Sequence, residues 1–334
     1  MLLEILIALI IGLIAGTLTG LFPGIHINLV ALLLFISSPF LLKFLAPEVL
    51  IVFIIAMAIT HIFIDFIPSI FLGAPEESTA LSVLPGHSLL MEGRGYEAIR
   101  LTTFGSYAGL LIMIIITPFF VLFLNPIYAI IQKFVAYILI FASGYLIVKE
   151  KKKILALCIF LLAGVLGIAT LNLPIKEPLF PLLTGLFGTS MLIISINEKT
   201  KIPKQIISRP ELNKKTTIRV FLASIFSGSA CAFLPGLGSS QAAVLGSELA
   251  GKIDRKEFLI LLGAISTIVT GLNFIALYAI NKPRSETAII VGKILPMLTL
   301  QTLILILTSA LVAGSIAVFI SLYCAKRFSK MIEK

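Results

Sequence analysis

Apolar runs of membrane-spanning length alternate along the chain with short polar, proline- or glycine-bearing interruptions. The runs predict helical segments over 2–22, 25–45, 48–72, 101–124, 127–148, 154–172, 178–196, 217–234, 257–281 and 299–323. Shorter pieces fall at 78–90, 237–250 and 286–298. A stretch of roughly 20 apolar residues crosses the hydrocarbon core as a helix. The runs are continuous, without the strict alternation of a closed barrel, which selects helices. The expected fold is an all-α polytopic membrane protein of about ten membrane segments.

Composition agrees: of 334 residues, 59% are hydrophobic and 13% charged, against about 25% charged in soluble domains. The net charge of +10 does not point to nucleic acid, because the basic residues cluster in short loops between spans. "KEKKK" at Lys149–Lys153, the stretch Lys199–Arg219 and the tail Lys326–Lys334 are the most basic. The positive-inside rule puts all three on the cytoplasmic side of a plasma membrane. The Lys199–Arg219 stretch reads as a connector drawn to anionic lipid headgroups. The start, "MLLEILIALIIGLIAG", lacks a basic n-region and carries Glu4, so it reads as a retained first helix. Cys158, Cys231 and Cys324 are widely spaced in apolar surroundings and read as core residues, not as a disulfide or metal framework.

The pattern also repeats. A shift of 212 residues places Gly16, Pro23 and Gly24 on Gly228, Pro235 and Gly236. A shift of 208 places Asp65–Ile67 on Asn273–Ile275, Pro75 on Pro283, and Ser78–Leu81 on Glu286–Ile289. This predicts a first transmembrane repeat over 1–124, connecting spans and a basic linker over 125–213, and a second repeat over 214–334. By loop charge, the first repeat ends outside and the second inside. The expectation is two inverted repeats with broken helices and re-entrant hairpins, the sequence pattern of a secondary transporter with its site at the repeat interface.

The candidate chemistry sits at the breaks. Pro23-Gly24 and Pro235-Gly236 interrupt apolar helices, since proline removes an N–H and glycine lets the chain turn. A helix restarting after such a break aims free N–H groups at it and makes an anion site. His26 and Asn28 follow the first break; Gly238, Ser239, Ser240 and Gln241 follow the second. The loops Pro75–Thr79, with Glu76, Glu77, Ser78 and Thr79, and Pro283–Thr287 are expected to close the site. A further Pro-Gly turn is expected at Pro85-Gly86. His61 and Asp65 lie four apart on one helix face. As ionisable groups inside a span, they join Glu76 and Glu77 as candidates for coupling to H+ or Na+. A structural His–Asp contact is the bland alternative. No H-E-x-x-H, G-x-S-x-G or Walker loop occurs. "GLGSSQ" has only His26, His61 and His87 as prospective bases, all in the other half, so an enzyme is not expected, and no cofactor beyond a coupling ion.

The stretches "GTLTGLFPGIHINLVALLL", "FLGAPEESTALSVLPGHSLLMEGRGYEAIRLTTFGSYAG" and "FLPGLGSSQAAVLGSELAG" together resemble the large membrane subunit of tripartite tricarboxylate transporters, the TctA family. The resemblance implies transport of a carboxylate-type organic anion by symport. It also implies a small membrane subunit and an extracytoplasmic binding protein as partners; a homodimer is compatible with it. Two features depart from the family. The chain is shorter than the usual subunit, and Glu76 and Glu77 stand where small residues are expected. Two carboxylates would repel a tricarboxylate, which disfavours citrate itself. The first break also resembles carriers that return polyprenyl phosphate across the membrane, so the alternative is a translocase of an anionic lipid.

Overall fold

A computed structural model describes residues 1–25, 27–74, 77–174, 182, 185–186, 193, 202–208, 210, 212–234 and 237–332, with Glu77 and Ser78 described by their backbone. The described residues are helical throughout, without strands. Seven of their helices are long and apolar enough to cross a membrane. The predicted segment 178–196 lies largely outside the described residues, as do His26, Pro75, Glu76, Pro235 and Gly236.

One compact unit comprises residues 1–128 and 202–334. In it, five elements occur twice in the same order. The first set is α1 (Leu2–Leu21), α2 (Ile27–Leu41), α3 (Pro47–Ile64) continued by α4 (Phe66–Phe71), a 3-10 turn (Glu77–Ser82) leading into α5 (Val83–Met91), and α6 (Gly95–Ile131). A second unit, 129–201, contains α7 (Val135–Lys149) and α8 (Lys153–Leu171). The second set of five is α9 (Lys214–Phe233), α10 (Ser239–Ala250), α11 (Arg255–Ile280), α12 (Glu286–Ile294) and α13 (Leu300–Met331).

Local chemistry sets many of these ends. Pro47 opens α3, where a missing N–H costs nothing. Asn213, Asp254, Ser285 and Thr299 accept hydrogen bonds from the first-turn N–H groups of α9, α11, α12 and α13. The third element of each set closes alike. Gly73 (φ 64°) and Asn281 (φ 51°) adopt left-handed backbone. The next N–H reaches back six residues, Ala74 to the Pro68 carbonyl at 3.3 Å and Lys282 to the Ala276 carbonyl at 3.4 Å.

Close helix contact rests on small residues, as it does where lipid removes the hydrophobic drive between helices. Gly12, Gly16 and Gly20 of α1 lie against Phe53–Met57, Met57–His61 and His61–Ile64 of α3. Both residue numbers rise together, so the two helices are parallel. In the second set Gly228 of α9 meets Ile265 and Ile268 of α11, the matching positions. The sets interlock. Gly105 and Gly109 of α6 press on Ile260 and Ala264 of α11, a parallel crossing. Ile59 and Phe63 of α3 meet Gly314 and Ser321 of α13, also in parallel. Yet α6 and α13 run antiparallel, since Thr103, Tyr107 and Leu110 meet Ser321, Ser315 and Gly314. Corresponding helices of the two sets therefore run in opposite senses.

Three expectations need correction. Pro85-Gly86 makes no turn: it lies in the first turn of α5, where proline's missing N–H has no helical partner to lose. Asn125-Pro126 makes no loop either. α6 continues through Pro118 and Pro126 to Ile131, since a long membrane helix tolerates an isolated missing bond. The run 48–72 is one span, Pro47–Phe71, but not one regular helix: α3 and α4 meet at Asp65, where Pro68 has no N–H to offer the Ile64 carbonyl.

The basic connector is also more than a tether. Gln205 accepts from the Gly95 N–H at 2.9 Å and donates to the Leu90 carbonyl at 3.0 Å, while the Ile206 N–H reaches the Gly93 carbonyl at 2.7 Å. Beside it Glu97, 1% exposed, takes Arg94 bidentately at 2.8 and 2.7 Å, Ser208 at 3.0 Å and Lys256 at 3.2 Å. A buried carboxylate so surrounded is fully compensated. It pins α6, α11 and the connector together.

In the unit 129–201, α7 and α8 follow one another across a three-residue turn and pack as a hairpin. α7 has no buried residue and α8 only Thr170, so their apolar side chains face outward.

Candidate substrate site at the broken helices

Each break follows a 20-residue helix, Leu2–Leu21 or Lys214–Phe233, long and apolar enough to cross a membrane. Gly20 of α1 faces Ile64 of α3, so the following Phe22–Ile25 stretch comes level with Asp65. Pro23 and Gly24 are exposed there, and Gly24 has φ 98°, a conformation that favours glycine. In the second repeat the end of α9 comes level with Asn273, and Leu234 ends the helix in extended backbone. The chain then returns: Gly246 of α10 packs back on Ser227 of α9, so α9 and α10 form a hairpin whose bend is the break.

The restarting helices carry the predicted small polar groups. Gly238 caps α10; Ser239 and Ser240 are half-buried in its first turn. The first helical acceptance is Ala242 N–H to Gly238 O at 3.0 Å, so Ser239–Gln241 form the first turn of the helix. Gln241 turns its carbonyl back onto the Gly238 N–H at 2.9 Å, so it stiffens the end and offers a ligand only its amide NH2. Asn28 is half-buried in the first turn of α2.

The second helix of each repeat packs on the other repeat. α10 packs on the 3-10 turn Glu77–Ser82, and α2 packs on α12. Thr79 lies at the buried side of that turn, its hydroxyl 2.6 Å from Ser69 Oγ, and Ser82 donates to the Thr79 carbonyl. The 3-10 turn, which takes in residues 77–79 of the predicted loop Pro75–Thr79, therefore lies beside the second broken helix. α12, capped by Ser285 and with Thr287 in its first turn, lies beside the first.

His61 and Asp65 are 2% and 3% exposed. His61 Nδ1 lies 3.0 Å from Thr19 Oγ1, the hydroxyl of which also donates to the Gly16 carbonyl at 3.2 Å. Histidine thus touches the last turn of the helix that breaks at Pro23. Asn273, in the place of Asp65, holds a hairpin tip. Its Oδ1 accepts from the N–H groups of Arg284 and Ser285 at 2.9 and 3.0 Å, and its Nδ2 donates to the Val269 carbonyl at 2.8 Å. Arg284 then reaches the end of α9, where Nη1 donates to the carbonyls of Cys231 (2.7 Å) and Leu234. Beside it Lys282 stands 4.9 Å over the Tyr128 ring. Tyr128, Phe233, Lys282 and Arg284 help line a pocket of about 120 Å³. The sequence placed Arg284 with Lys282 at this tip, against the two glutamates of the first repeat, and matched Asn273 to Asp65, but did not give the hydrogen bonds that join them.

Comparison with known proteins agrees with this architecture. The chain is 36% identical over 319 residues to an uncharacterized protein of Methanocaldococcus jannaschii, an alignment covering 94% of this chain and 78% of the relative. No solved structure matches. A family model described as "Tripartite tricarboxylate transporter TctA family" matches residues 6–334, and with that match over nearly its whole length the chain belongs to the TctA family, a family of transporters and not of enzymes.

Proposed function

We propose that the chain is the translocating subunit of a secondary carrier for a carboxylate-type organic anion, driven by an H+ or Na+ gradient. The observation that carries this reading is the paired breaks. Two helices of opposite sense each end at a Pro-Gly pair, and the helix that follows each packs against an element of the other repeat: α2 on α12, and α10 on the 3-10 turn Glu77–Ser82. Helix N-termini at membrane depth favour anionic groups. In this reading the first-turn N–H groups of α2 and α10, with His26, Asn28, Ser239, Ser240 and the Gln241 amide, hold the anion. Ser78 and Thr79 lie at the closing tip. His61, Asp65, Glu76 and Glu77 sense the coupling ion. The plasma membrane is the proposed location, with the basic loops and the C-terminus cytoplasmic. A small membrane subunit and an extracytoplasmic binding protein are the proposed partners.

Thermal stabilisation of the purified chain tests it. The panel holds citrate, succinate, other di- and tricarboxylates, amino acids, phosphate and a short-chain polyprenyl phosphate, each with and without Na+ at two pH values. A ligand at about 100 times its dissociation constant stabilises by about 2.7 kcal/mol. A shift with a soluble carboxylate, larger in Na+ or in acid, is the expected result. A shift with the lipid phosphate alone would overturn the proposal in favour of lipid translocation, and silence from every carboxylate would end it.

A further inference from the structure

α6 and α11 come from different repeats, yet their backbones touch. A Cβ at Gly105 or Gly263 would fall on the carbonyl oxygen of Ile260 or Thr102, and one at Gly109 would lie 2.6 Å from that of Ala264. Ser106 Oγ donates across the same contact to the Gly263 carbonyl at 3.3 Å. Such a contact resists sliding. One turn of slip in either direction brings Leu101 or Met113 to a carbonyl that leaves no room for a Cβ. Charge closes the end of the pair. Glu97, 1% exposed, meets Lys256 at 3.2 Å, and Arg255 meets Glu92 at 2.6 Å. Parting the helices there would leave a buried carboxylate short of a partner.

The 208-residue shift carries α6 onto α13 and α11 onto α3, and the contacts follow: Met113 meets Gly271, and Ser321 in the same relation meets Phe63. The chemistry does not follow. Ala313, Ala317 and Ile55 stand in the places of Gly105, Gly109 and Gly263, all three of them buried. Leu305 and Glu48 stand in the places of Glu97 and Lys256. The closest α3 atom to a Cβ at Gly314 would be Ile59 Cγ2, at 3.4 Å. α3 and α13 therefore meet through side chains, which can change rotamer and let packed helices shear.

We propose that the two matched interfaces are mechanically unequal: α6 and α11 stay in register throughout transport, with Glu97 closing the end of the pair, and the repeats slide where α3 meets α13. This rests on the chain being a carrier, not on the anion or coupling ion proposed above. It is measured without substrate, so the failure of either idea leaves the other standing.

The test is the distance between nitroxide pairs, read by double electron–electron resonance in liposomes. The background is the full-length chain with Cys158→Ser, Cys231→Ala and Cys324→Ser. Phe104→Cys with Tyr278→Cys reads α6 against α11; Glu48→Cys with Tyr323→Cys reads α3 against α13. Helical rise sets both pairs roughly 30 Å apart along the axes. At two pH values, with and without Na+, the first pair should keep one narrow distance. The second should show two distances, or one that moves by about 2 Å or more. Glu97→Gln, which keeps the size but not the charge, should broaden the first pair at least about twofold, since Arg94 and Lys256 lose their counter-charge. A second pair fixed in every condition, or a first pair that moves with pH or Na+, overturns the proposal. An unaltered first pair in Glu97→Gln overturns the part given to Glu97.

Discussion

In the second repeat a neutral amide, Asn273, holds the hairpin tip, and a permanently charged arginine from that tip closes on the end of α9. In the first repeat Asp65 stands where Asn273 does and Glu76 where Arg284 does. His61 reaches the last turn of α1 through Thr19. The backbone device is shared, down to the left-handed residues Gly73 and Asn281, but the side chains divide. One break is fastened by groups whose charge does not change near neutral pH. The other is bordered by His61 and Asp65, side chains of types that can take up or release a proton. On the proposed reading, ion coupling belongs to the first repeat and the second supplies a fixed counterpart.

The largest expected effect removes a break outright. Pro235→Ala with Gly236→Ala favours helical backbone where α9 should end, and uptake into proteoliposomes should fall at least about 100-fold while the protein stays monodisperse. Such a loss corresponds to roughly 2.7 kcal/mol or more at the transport barrier. Pro23→Ala with Gly24→Ala should do the same if both helix ends hold substrate. Full uptake in either double variant would break the symmetry of the site and leave one end as scaffold.

A smaller effect compares the packing of the two breaking helices. A Cβ at Gly12 would lie 2.7 Å from the Phe53 carbonyl oxygen and 2.7 Å from Ala56 Cβ, neither of which can step aside. A Cβ at Gly228 would meet Ile268 Cγ2 at 2.9 Å, and the nearest backbone atom, the Ile265 carbonyl oxygen, is 3.9 Å away. Overpacking costs about 1–3 kcal/mol, while alanine in place of a helical glycine returns up to about 1 kcal/mol. Gly12→Ala should therefore destabilise by about 2 kcal/mol in reversible denaturation, and Gly228→Ala should be close to neutral. Equal losses would mean that α1 and α9 pack alike after all.

Much of this was legible in the sequence because it depends on backbone chemistry. Pro-Gly pairs at a constant shift mark the breaks whatever surrounds them, and runs of apolar residues mark spans. The misreadings also involve proline, where context decides. Pro85 looks like a turn but falls in a first helical turn; Pro126 looks like a loop but sits in a helix long enough to absorb it. The Arg284 contacts join residues some fifty apart in sequence. No periodicity reports such a contact.

Thr19 gives the next step down. Thr19→Val keeps the shape and deletes the hydroxyl between the Gly16 carbonyl and His61 Nδ1. One lost hydrogen bond is worth about 1 kcal/mol, and a buried partner left unsatisfied adds to that. A loss of about 1–2 kcal/mol is expected, together with a changed pH dependence of uptake if His61 titrates during transport. A stability loss with an unaltered pH profile would reduce the contact to packing.

The smallest stability effects come from exchanging the two matched residues, and they carry the most information. Asn273→Asp keeps an oxygen for the Arg284 and Ser285 N–H groups but loses the donor to the Val269 carbonyl, a cost of about 1 kcal/mol. Asp65→Asn removes a charge while keeping size and shape, and should change stability by less than that. Its expected consequence is functional: uptake should lose its dependence on an imposed H+ or Na+ gradient while exchange across the membrane persists. The second repeat already shows that an asparagine can hold a tip at this position. If Asp65→Asn keeps full gradient dependence, Asp65 is a holder of the same kind, and coupling must move to His61 or to the glutamates that follow Pro75.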